Sequence, residues 1–250
     1  MCCALSRPAE ADTESPLDVQ PIAPWAPQPL RRVAMRQTWR RLTFLHWPYA
    51  PNLIRRHIPA GLELDTFDNL AWVGLVPFEI HDCPGIAYFP ETNLRTYVVG
   101  PDGSRAVWFF SLDAASSAAV LGARIAYHLP YFWARMRVAS HNGAVSYSSR
   151  RHWPHEPRAM TNIVIQPGEP YKSDELTGRD HFLTARYRLY TTSPRRLRHA
   201  QIEHPPWPLA RASVIELRET LFENAGLPPP CEAPIVHYAG ELAVKIGRLI

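Results

Sequence analysis

Two neighbouring residues, Glu203 and His204 in the segment EHPPWPL, have side chains suited to acid–base chemistry. A carboxylate and an imidazole that face one cavity can exchange protons near neutral pH. Histidines beside proline and tryptophan, such as His204 and His46, also commonly fix a loop by hydrogen bonding. The sequence therefore leaves two interpretations of His204 open, a catalytic one and a structural one.

Arg124 and Tyr131 form a second candidate group, at the end of a segment rich in alanine and serine. A guanidinium can bind a carboxylate or phosphate through two parallel hydrogen bonds, and a phenol can donate or accept a hydrogen bond. Arg124 could equally be a cation that interacts with the C-terminal end of a helix dipole. Both possibilities remain open from the sequence.

Asn93, Arg95 and Tyr97 alternate along one segment, so they share one face of a predicted strand. Three polar residues on one face indicate either a solvated outer surface or a polar patch that lines a cavity. Periodicity alone favours the solvated surface, because the opposite face could equally be the packed one.

Metal and cofactor binding have little support in the sequence. His152 and His155 have an HxxH spacing, but Pro154 interrupts any helix that would bring both rings together. The sequence contains no GxSxG, HExxH, P-loop or GxGxxG motif, so we expect no metal and no cofactor. The four cysteines lack CxxC spacing and are expected to be free thiols: Cys2, Cys3, Cys83 and Cys231.

The composition predicts one large cytoplasmic domain. The chain has 250 residues, of which 46% are hydrophobic, and no apolar stretch is long enough to cross a membrane. Its N-terminus carries acidic residues and prolines where a secretory signal would be basic and then apolar. The net charge is +4, but the basic residues are scattered pairs, which argues against a nucleic-acid partner.

Residues 1–30 are expected to form a disordered tail, because they hold six prolines and few large apolar groups. A single domain would then span residues 31–250. Three segments rich in β-branched and aromatic residues follow one another at hairpin distances and predict an antiparallel set of strands: Leu70–Ile80, Leu94–Val99 and Arg105–Leu112.

Further elements are predicted from caps and turns. Asp113 is expected to cap a helix of small residues that ends before Pro130, and Asn142-Gly143 predicts a type I′ hairpin. Asp180–Thr192 alternates like a long strand.

Near the C-terminus, Ser213 and Glu216 predict the capping box of a helix that Gly226 ends. The segment Ile235–Gly247 predicts a last strand. The predicted fold class is α+β and β-rich, with eight to ten antiparallel strands that form a barrel or sandwich and two helices packed outside.

Seven motifs, in this order, resemble the YqjF-like family, known as domain of unknown function 2071. They cover about residues 35–245 and are FLHWPY, LDTFDNLAWVGLVPF, NLRTYV, VWFFSLDA, the pair AR before LPY, FLTARYRLY and EHPPWPL. That family is in turn remotely similar to acetoacetate decarboxylase, which implies a β-rich barrel around a central cavity.

The resemblance places Tyr131 where the decarboxylase has its Schiff-base lysine and Phe132 where it has a second lysine. A phenol cannot condense with a ketone, so we expect no acetoacetate decarboxylase activity. The two lysines of the chain, Lys172 and Lys245, are expected to be solvated or to extend toward solvent. The resemblance also implies a cavity glutamate near Glu91, Asn93 or Arg95.

Three functions follow as hypotheses. The first is a protein that binds a small molecule, such as a carboxylate or keto compound, through Arg95, Tyr97, Arg124 and Tyr131. The second is an enzyme without a Schiff base that transfers protons at a carbonyl, with Tyr131, His204 or Glu203 as acid or base. The third is a structural or interaction module without a ligand. The oligomeric state does not follow from the sequence.

Overall fold

The computed structural model describes residues 18–154, 159–194 and 196–250. Within these ranges, no helix is long and apolar enough to cross a membrane. The described residues form twelve strands, β1 Val33–Tyr49, β2 Glu63–Leu64, β3 Ala71–Cys83, β4 Ile86–Val99, β5 Arg105–Ala114, β6 Tyr131–His141, β7 Ala144–Trp153, β8 Met160–Pro170, β9 Arg188–Ser193, β10 Arg196–Glu203, β11 Leu209–Glu219 and β12 Ile235–Gly247. They also form four short helices, α1 Pro51–Arg55, α2 Ser117–Ala126, α3 Gly178–Thr184 and α4 Leu221–Asn224.

The strands form a closed barrel. Nine of them pair in the order β5-β6-β7-β8-β11-β12-β1-β3-β4, and β4 pairs back to β5. The hairpin of β9 and β10 joins β5 to β12 on one side, which adds a smaller ring that shares β12, β1, β3, β4 and β5. The predicted β-rich α+β barrel is confirmed.

The shared strands separate a packed region from a hollow one. On the side of β7 and β8, buried Trp47, Leu75, Tyr147 and Ile163 belong to one continuous apolar cluster. On the side of β9 and β10, the space between the strands is partly empty. The smaller ring therefore encloses space for a ligand.

Local sequence signals identified several elements correctly. β3, β4 and β5 form the predicted antiparallel set. Asn142 and Gly143 connect β6 to β7 with φ angles of 48° and 79°, in agreement with a type I′ turn. The predicted last strand is β12.

The predicted helix after β5 exists, but Asp113 does not cap it. Asp113 is the penultimate residue of β5, and its buried carboxylate accepts hydrogen bonds from Arg151. Ser116 caps α2 instead, and its side chain accepts a hydrogen bond from the backbone N–H of Ala119.

Two predictions of secondary structure in the C-terminal half of the chain were wrong. The segment Asp180–Thr192 begins inside helix α3, which Thr177 and Asp180 start with a capping box, and only its end is strand β9. Ser213 and Glu216 lie in strand β11, because β11 pairs with β8 along most of its length and this pairing outweighs the local capping signal. The helix that precedes Gly226 is α4, a single turn.

The described part of the predicted tail, residues 18–30, lies against the domain. The backbone N–H of Gln20 donates to the carbonyl of Gly103, and that of Leu30 donates to the Glu203 carboxylate. The phenol of Tyr187 donates to the carbonyl of Pro24. Residues 18–30 are therefore attached to the domain, which differs from the predicted disordered tail. The rest of that predicted tail, residues 1–17, lies outside the described residues.

Candidate functional site

A cavity of about 340 Å³ lies inside the smaller ring, within the size range of about 300–1,000 Å³ typical of small-molecule sites. Its walls come from β1, β3, β4, β5, β6, β9, β10 and β12, and helix α2 covers one side. Most of the lining side chains are apolar or aromatic. The polar ones are Gln37, Glu91, Asn93, Arg95, Tyr127, Tyr131, Thr184, Arg186 and His204.

The cavity has an exposed mouth and a buried end. Among its lining residues, Pro84 in the β3–β4 turn and Ala118, Gly122 and Ala126 of α2 are solvent-exposed. Arg95 is buried at only 8% exposure. The mouth therefore lies between α2 and the β3–β4 turn, and Arg95 belongs to the buried end.

Strand β4 places three polar side chains along the cavity wall. Glu91, Asn93 and Arg95 follow one another at every second position and all line the cavity. Leu94, between them, packs into the apolar cluster on the other side of the sheet. The polar face of this strand is therefore a cavity wall and not a solvated surface.

Tyr97 continues this face but lies behind the cavity. Its phenol donates a hydrogen bond to the carbonyl of Leu183 at 2.5 Å and lies 2.6 Å from Nε2 of His46. Burial, and secondarily the nearby Arg95 cation, lowers the pKa of His46 well below its ordinary value, so His46 is neutral. Gly74 makes room for this contact, because a Cβ there would lie 2.8 Å from His46 Nε2.

The guanidinium of Arg95 is buried without a strong partner. Its Nη2 has only long contacts, 3.5 Å to the Tyr97 phenol and 3.4 Å to the Leu183 carbonyl. Its Nε has no hydrogen-bond acceptor among the described residues. Arg95 therefore keeps most of its hydrogen-bonding capacity for a ligand.

A second buried guanidinium, that of Arg186, lines the same cavity. Its Nη1 lies 3.0 Å from Asp65, while its Nε and Nη2 have no acceptor among the described residues. Arg105 pairs with the same Asp65 carboxylate. Burial lowers the pKa of Arg186 to about 10, so Arg186 remains a cation at neutral pH.

These contacts leave an excess of positive charge at the buried end. Three guanidinium groups, those of Arg95, Arg105 and Arg186, lie close enough to influence one another, and in the described part of the chain only Asp65 forms an ion pair with any of them. An anion in the cavity would balance this charge.

Tyr131 and Glu91 form a hydrogen-bonded pair nearer the middle of the cavity. The Tyr131 phenol donates to Glu91 Oε2 at 2.7 Å. Burial raises the pKa of Glu91 to about 7, although the hydrogen bonds from Tyr131 and Asn93 oppose the shift. Burial and the Glu91 charge raise the pKa of Tyr131 well above its ordinary value. Glu91 can therefore exchange a proton near neutral pH, and Tyr131 stays protonated.

His204 lines the cavity, but its ring is fixed by the backbone. Its Nδ1 lies 2.7 Å from the carbonyl of Pro205, and burial lowers the pKa of His204 to about 4. A neutral imidazole that donates from Nδ1 is a weak base at neutral pH. The geometry thus favours the loop-fixing interpretation.

Glu203 does not line the cavity with His204. Its carboxylate accepts hydrogen bonds from Lys245 Nζ at 2.5 Å and from the backbone N–H of Leu30. Glu203 and His204 share a more open groove outside this cavity, where Lys245 pairs with the Glu203 carboxylate, so they do not act together inside the cavity. Lys245 is held by this ion pair, Lys172 is exposed, and neither lysine lines the cavity.

Arg124 lies outside the cavity. Its Nη1 donates to the backbone carbonyl of Tyr131 at 2.6 Å, and its guanidinium lies 5.4 Å from the centre of the Trp153 ring. Arg124 can therefore position Tyr131 but does not contact a ligand in the cavity. Phe132 points away as well, because its ring stacks on the Arg151 guanidinium at 3.7 Å.

The sequence interpretation did not single out Arg186. The sequence pattern that could have identified Arg186 is the alternation in FLTARYRLY, where Arg186 and Arg188 interrupt a largely apolar segment. An arginine in such a segment indicates a buried ion pair or a ligand contact.

The structure shows no metal centre in the part of the chain that it describes, where no three His, Cys, Asp or Glu residues lie close enough to hold an ion. His152 packs its ring edge to face against Trp133, and His155 lies outside the described residues.

The cavity also contains a thiol, that of Cys83, which accepts a hydrogen bond from Gln37 Nε2 at 3.6 Å. Burial raises the pKa of Cys83, so this thiol is a poor nucleophile.

Comparison with solved structures agrees with this architecture. The enzyme MppR of enduracididine biosynthesis, complexed with pyruvate, superposes with a TM-score of 0.60 at 12% identity, over 87% of this chain and 90% of that one. Acetoacetate decarboxylase from Legionella pneumophila superposes with a TM-score of 0.61 at 14% identity, over 95% and 98% of the two chains. The fold is therefore acetoacetate decarboxylase-like.

Sequence comparison identifies nearer relatives. The protein YqjF of Bacillus subtilis (strain 168), described as uncharacterized, is 38% identical over 213 residues, which are 82% of this chain and 87% of YqjF. The sequence model of DUF2071, described as "Uncharacterized conserved protein", matches residues 36–243. The chain therefore belongs to the YqjF-like family, domain of unknown function 2071.

Proposed function

We propose that this protein binds a small organic anion, a carboxylate or keto acid, in the cavity of its smaller ring and forms no Schiff base with it. The observation that carries the proposal is the Arg95 guanidinium, which is 8% exposed and has no carboxylate partner among the described residues. Burying an unpaired charge is unfavourable, and a bound anion would offset that cost.

The neighbouring side chains support an anion rather than a cation. Arg186 has two unpaired nitrogens in the same cavity. Glu91 is the acidic residue among the described lining residues, and it is only about half ionised at pH 7 and accepts a hydrogen bond from Tyr131. A carboxylate can accept two parallel hydrogen bonds from one guanidinium, which is stronger than a single neutral hydrogen bond.

The structural relatives point to the same ligand class. MppR is described in complexes with pyruvate and with the condensation product of pyruvate and imidazole 4-carboxaldehyde. The cavity of this chain has Tyr131 and no lysine, so the proposed binding is non-covalent.

The test is to measure the mass of the freshly purified protein under native and denaturing conditions, and then to titrate it with pyruvate and acetoacetate by calorimetry. A bound acid, or measurable affinity that Arg95→Met lowers at least about tenfold, supports the proposal. Arg150→Met is the matched control, since Arg150 is exposed and lies outside the cavity.

Equal affinities in the wild type and Arg95→Met would overturn the proposal. If neither these two acids nor longer carboxylic acids bind either protein, the third hypothesis, a structural or interaction module, takes its place. The cytoplasmic location stays a prediction.

A second function, proton transfer at a carbonyl, is favoured by the 2.7 Å contact between Tyr131 and Glu91. Glu91, with its pKa of about 7, would take a proton from the carbon beside the carbonyl. The Tyr131 hydroxyl, which donates to Glu91 in the free protein, would then turn its single hydrogen toward the carbonyl oxygen, where negative charge develops. Exchange of the methyl protons of pyruvate with deuterated water, followed by NMR, tests this reaction. Glu91→Gln should abolish the enzymatic part of the exchange, and exchange that persists in this variant would exclude the role.

A further inference from the structure

We infer that the ligand is an amphipathic acid, whose carboxylate lies at Arg95 and whose aromatic or medium-chain aliphatic body extends toward the mouth beside Gly122. This inference rests on the proposed anion-binding function and deepens it by naming the ligand class. A three-carbon acid would leave most of the 340 Å³ cavity unfilled.

The apolar walls of the cavity support a large apolar body. Aromatic side chains from three strands face the empty space, Trp39 from β1, Phe78 from β3 and Phe89 from β4. Ile202 and Leu112 add aliphatic surface from β10 and β5. Such a surface favours the binding of a hydrocarbon group, because it removes that group from water. A short polar acid has no such group and gains no binding free energy from this surface.

The polar groups determine the orientation of this ligand. At the buried end, the Nε of Arg95 is a buried donor that has no hydrogen-bond acceptor among the described residues, so it can donate to a carboxylate. Glu91 lies closer to the mouth and would repel a carboxylate whenever it is ionised. The acid group therefore belongs at Arg95, and the apolar body runs past Glu91 and Tyr131.

Gly122 keeps the mouth open. Glycine in a helix interior is less stable than alanine, and such a position usually has a packing or functional reason. Close packing does not require a glycine here, because an added Cβ at Gly122 would meet no atom of the described residues within 4 Å. Gly122 is exposed and lines the cavity, so the lack of a side chain there leaves this part of the mouth unobstructed.

The experiment compares acetate, butanoate, hexanoate and octanoate, together with phenylacetate, by calorimetry on the full chain. If the chain of the acid enters the apolar part, affinity rises about fourfold for each added methylene until the cavity is full. In Gly122→Leu the longer acids and phenylacetate should lose this gain, and acetate should bind as in the wild type.

Two controls isolate the mouth and the fold. Ser117→Leu adds the same side chain on the same helix, at an exposed residue outside the cavity, and should leave every affinity unchanged. The thermal midpoint of Gly122→Leu should be no lower than that of the wild type, since the new Cβ meets open space and leucine favours the helix.

The outcomes separate the ligand class from the proposed function. Affinity that is the same for acetate and octanoate, and still lost in Arg95→Met, would overturn the amphipathic ligand and leave anion binding intact. Octanol that binds as tightly as octanoate would overturn the acid head group at Arg95. Binding of no acid at all would refute the proposed function itself.

Discussion

The phenol oxygen of Tyr131 lies 2.7 Å from Oε2 of Glu91, and this contact connects the first residue of β6 to the cavity wall of β4. Both side chains are buried, and each one shifts the proton affinity of the other. A carboxyl group that titrates near pH 7 inside a cavity gives the fold a measurable dependence on pH.

Glu91→Gln should remove this dependence. The pKa of Glu91 is about 7 in the folded chain and ordinarily 4.5, so the folded state binds the proton more tightly. The resulting stabilisation is complete below about pH 4.5 and is lost as the pH rises through 7, a change of about 3 kcal/mol. Denaturant unfolding from pH 4 to 8 should therefore show Glu91→Gln gaining stability relative to the wild type as the pH rises.

A surface variant provides the control for this profile. Glu241→Gln removes a carboxylate whose side chain is 58% exposed, and it should follow the wild type throughout. If Glu91→Gln also ran parallel to the wild type, the raised pKa of Glu91 would be refuted.

Tyr131→Phe should shift the pH-dependent loss of stability to higher pH. The phenol hydrogen bond stabilises the ionised form of Glu91, so its removal raises the pKa of Glu91 above 7. We expect a loss of about 1 kcal/mol in stability at pH 8, where Glu91 is mostly ionised, and a smaller loss at pH 5. Unfolding curves at the two pH values measure the difference, and equal losses would mean that the hydrogen bond does not act on Glu91.

Arg124→Ala should lower stability by about 1 kcal/mol without changing the affinity for an acid. Its guanidinium donates to the Tyr131 carbonyl and stacks near Trp153, and both contacts lie outside the cavity. Calorimetry and thermal unfolding on the same preparation check both expectations. A large drop in affinity would show that Arg124 contributes to binding, either directly or by positioning Tyr131.

The buried ion pair of Asp113 in β5 and Arg151 in β7 should contribute strongly to the stability of the fold. Arg151 Nη2 lies 2.7 Å from Asp113, and the two side chains are 5% and 0% exposed. Asp113→Asn leaves a buried cation and should cost about 3–5 kcal/mol, whereas Asp113→Leu with Arg151→Met should cost far less. Chemical denaturation measures both variants.

The exposed pair of Arg40 and Glu241 provides the comparison, because its side chains are 42% and 58% exposed. Its removal by Glu241→Gln should cost less than 1 kcal/mol. A cost for Asp113→Asn as small as that of the surface pair would contradict the buried character of the first pair.

The sequence could predict features that depend on neighbouring residues. The Asn142-Gly143 turn needs two positive φ angles, and its residue types show this directly. Ser213 and Glu216 show the opposite case, since their capping pattern is genuine but the pairing of β11 with β8 decides the structure.

The site depends on contacts between distant parts of the chain. Alternation placed Asn93 and Arg95 on one face, but only the closure of the smaller ring by β9 and β10 turns that face into a cavity wall. Arg186 joins Arg95 from a segment about ninety residues away in sequence. No local pattern could reveal that meeting, nor that Glu203 lies outside the cavity that His204 lines.

Borohydride trapping tests the absence of amine chemistry. A Schiff base with a keto acid requires an unprotonated amine that reaches the carbonyl. Lys245 donates to Glu203 at 2.5 Å, Lys172 is exposed, and neither lysine lines the cavity. After treatment with sodium borohydride and pyruvate or acetoacetate, the intact mass of the protein should therefore show no adduct. As a positive control, formaldehyde with the same reductant should label the accessible amines and show that the reagent works. A pyruvate adduct located on Lys172 or Lys245 by peptide mapping would mean that the protein does form an imine and that the non-covalent mode of binding is wrong.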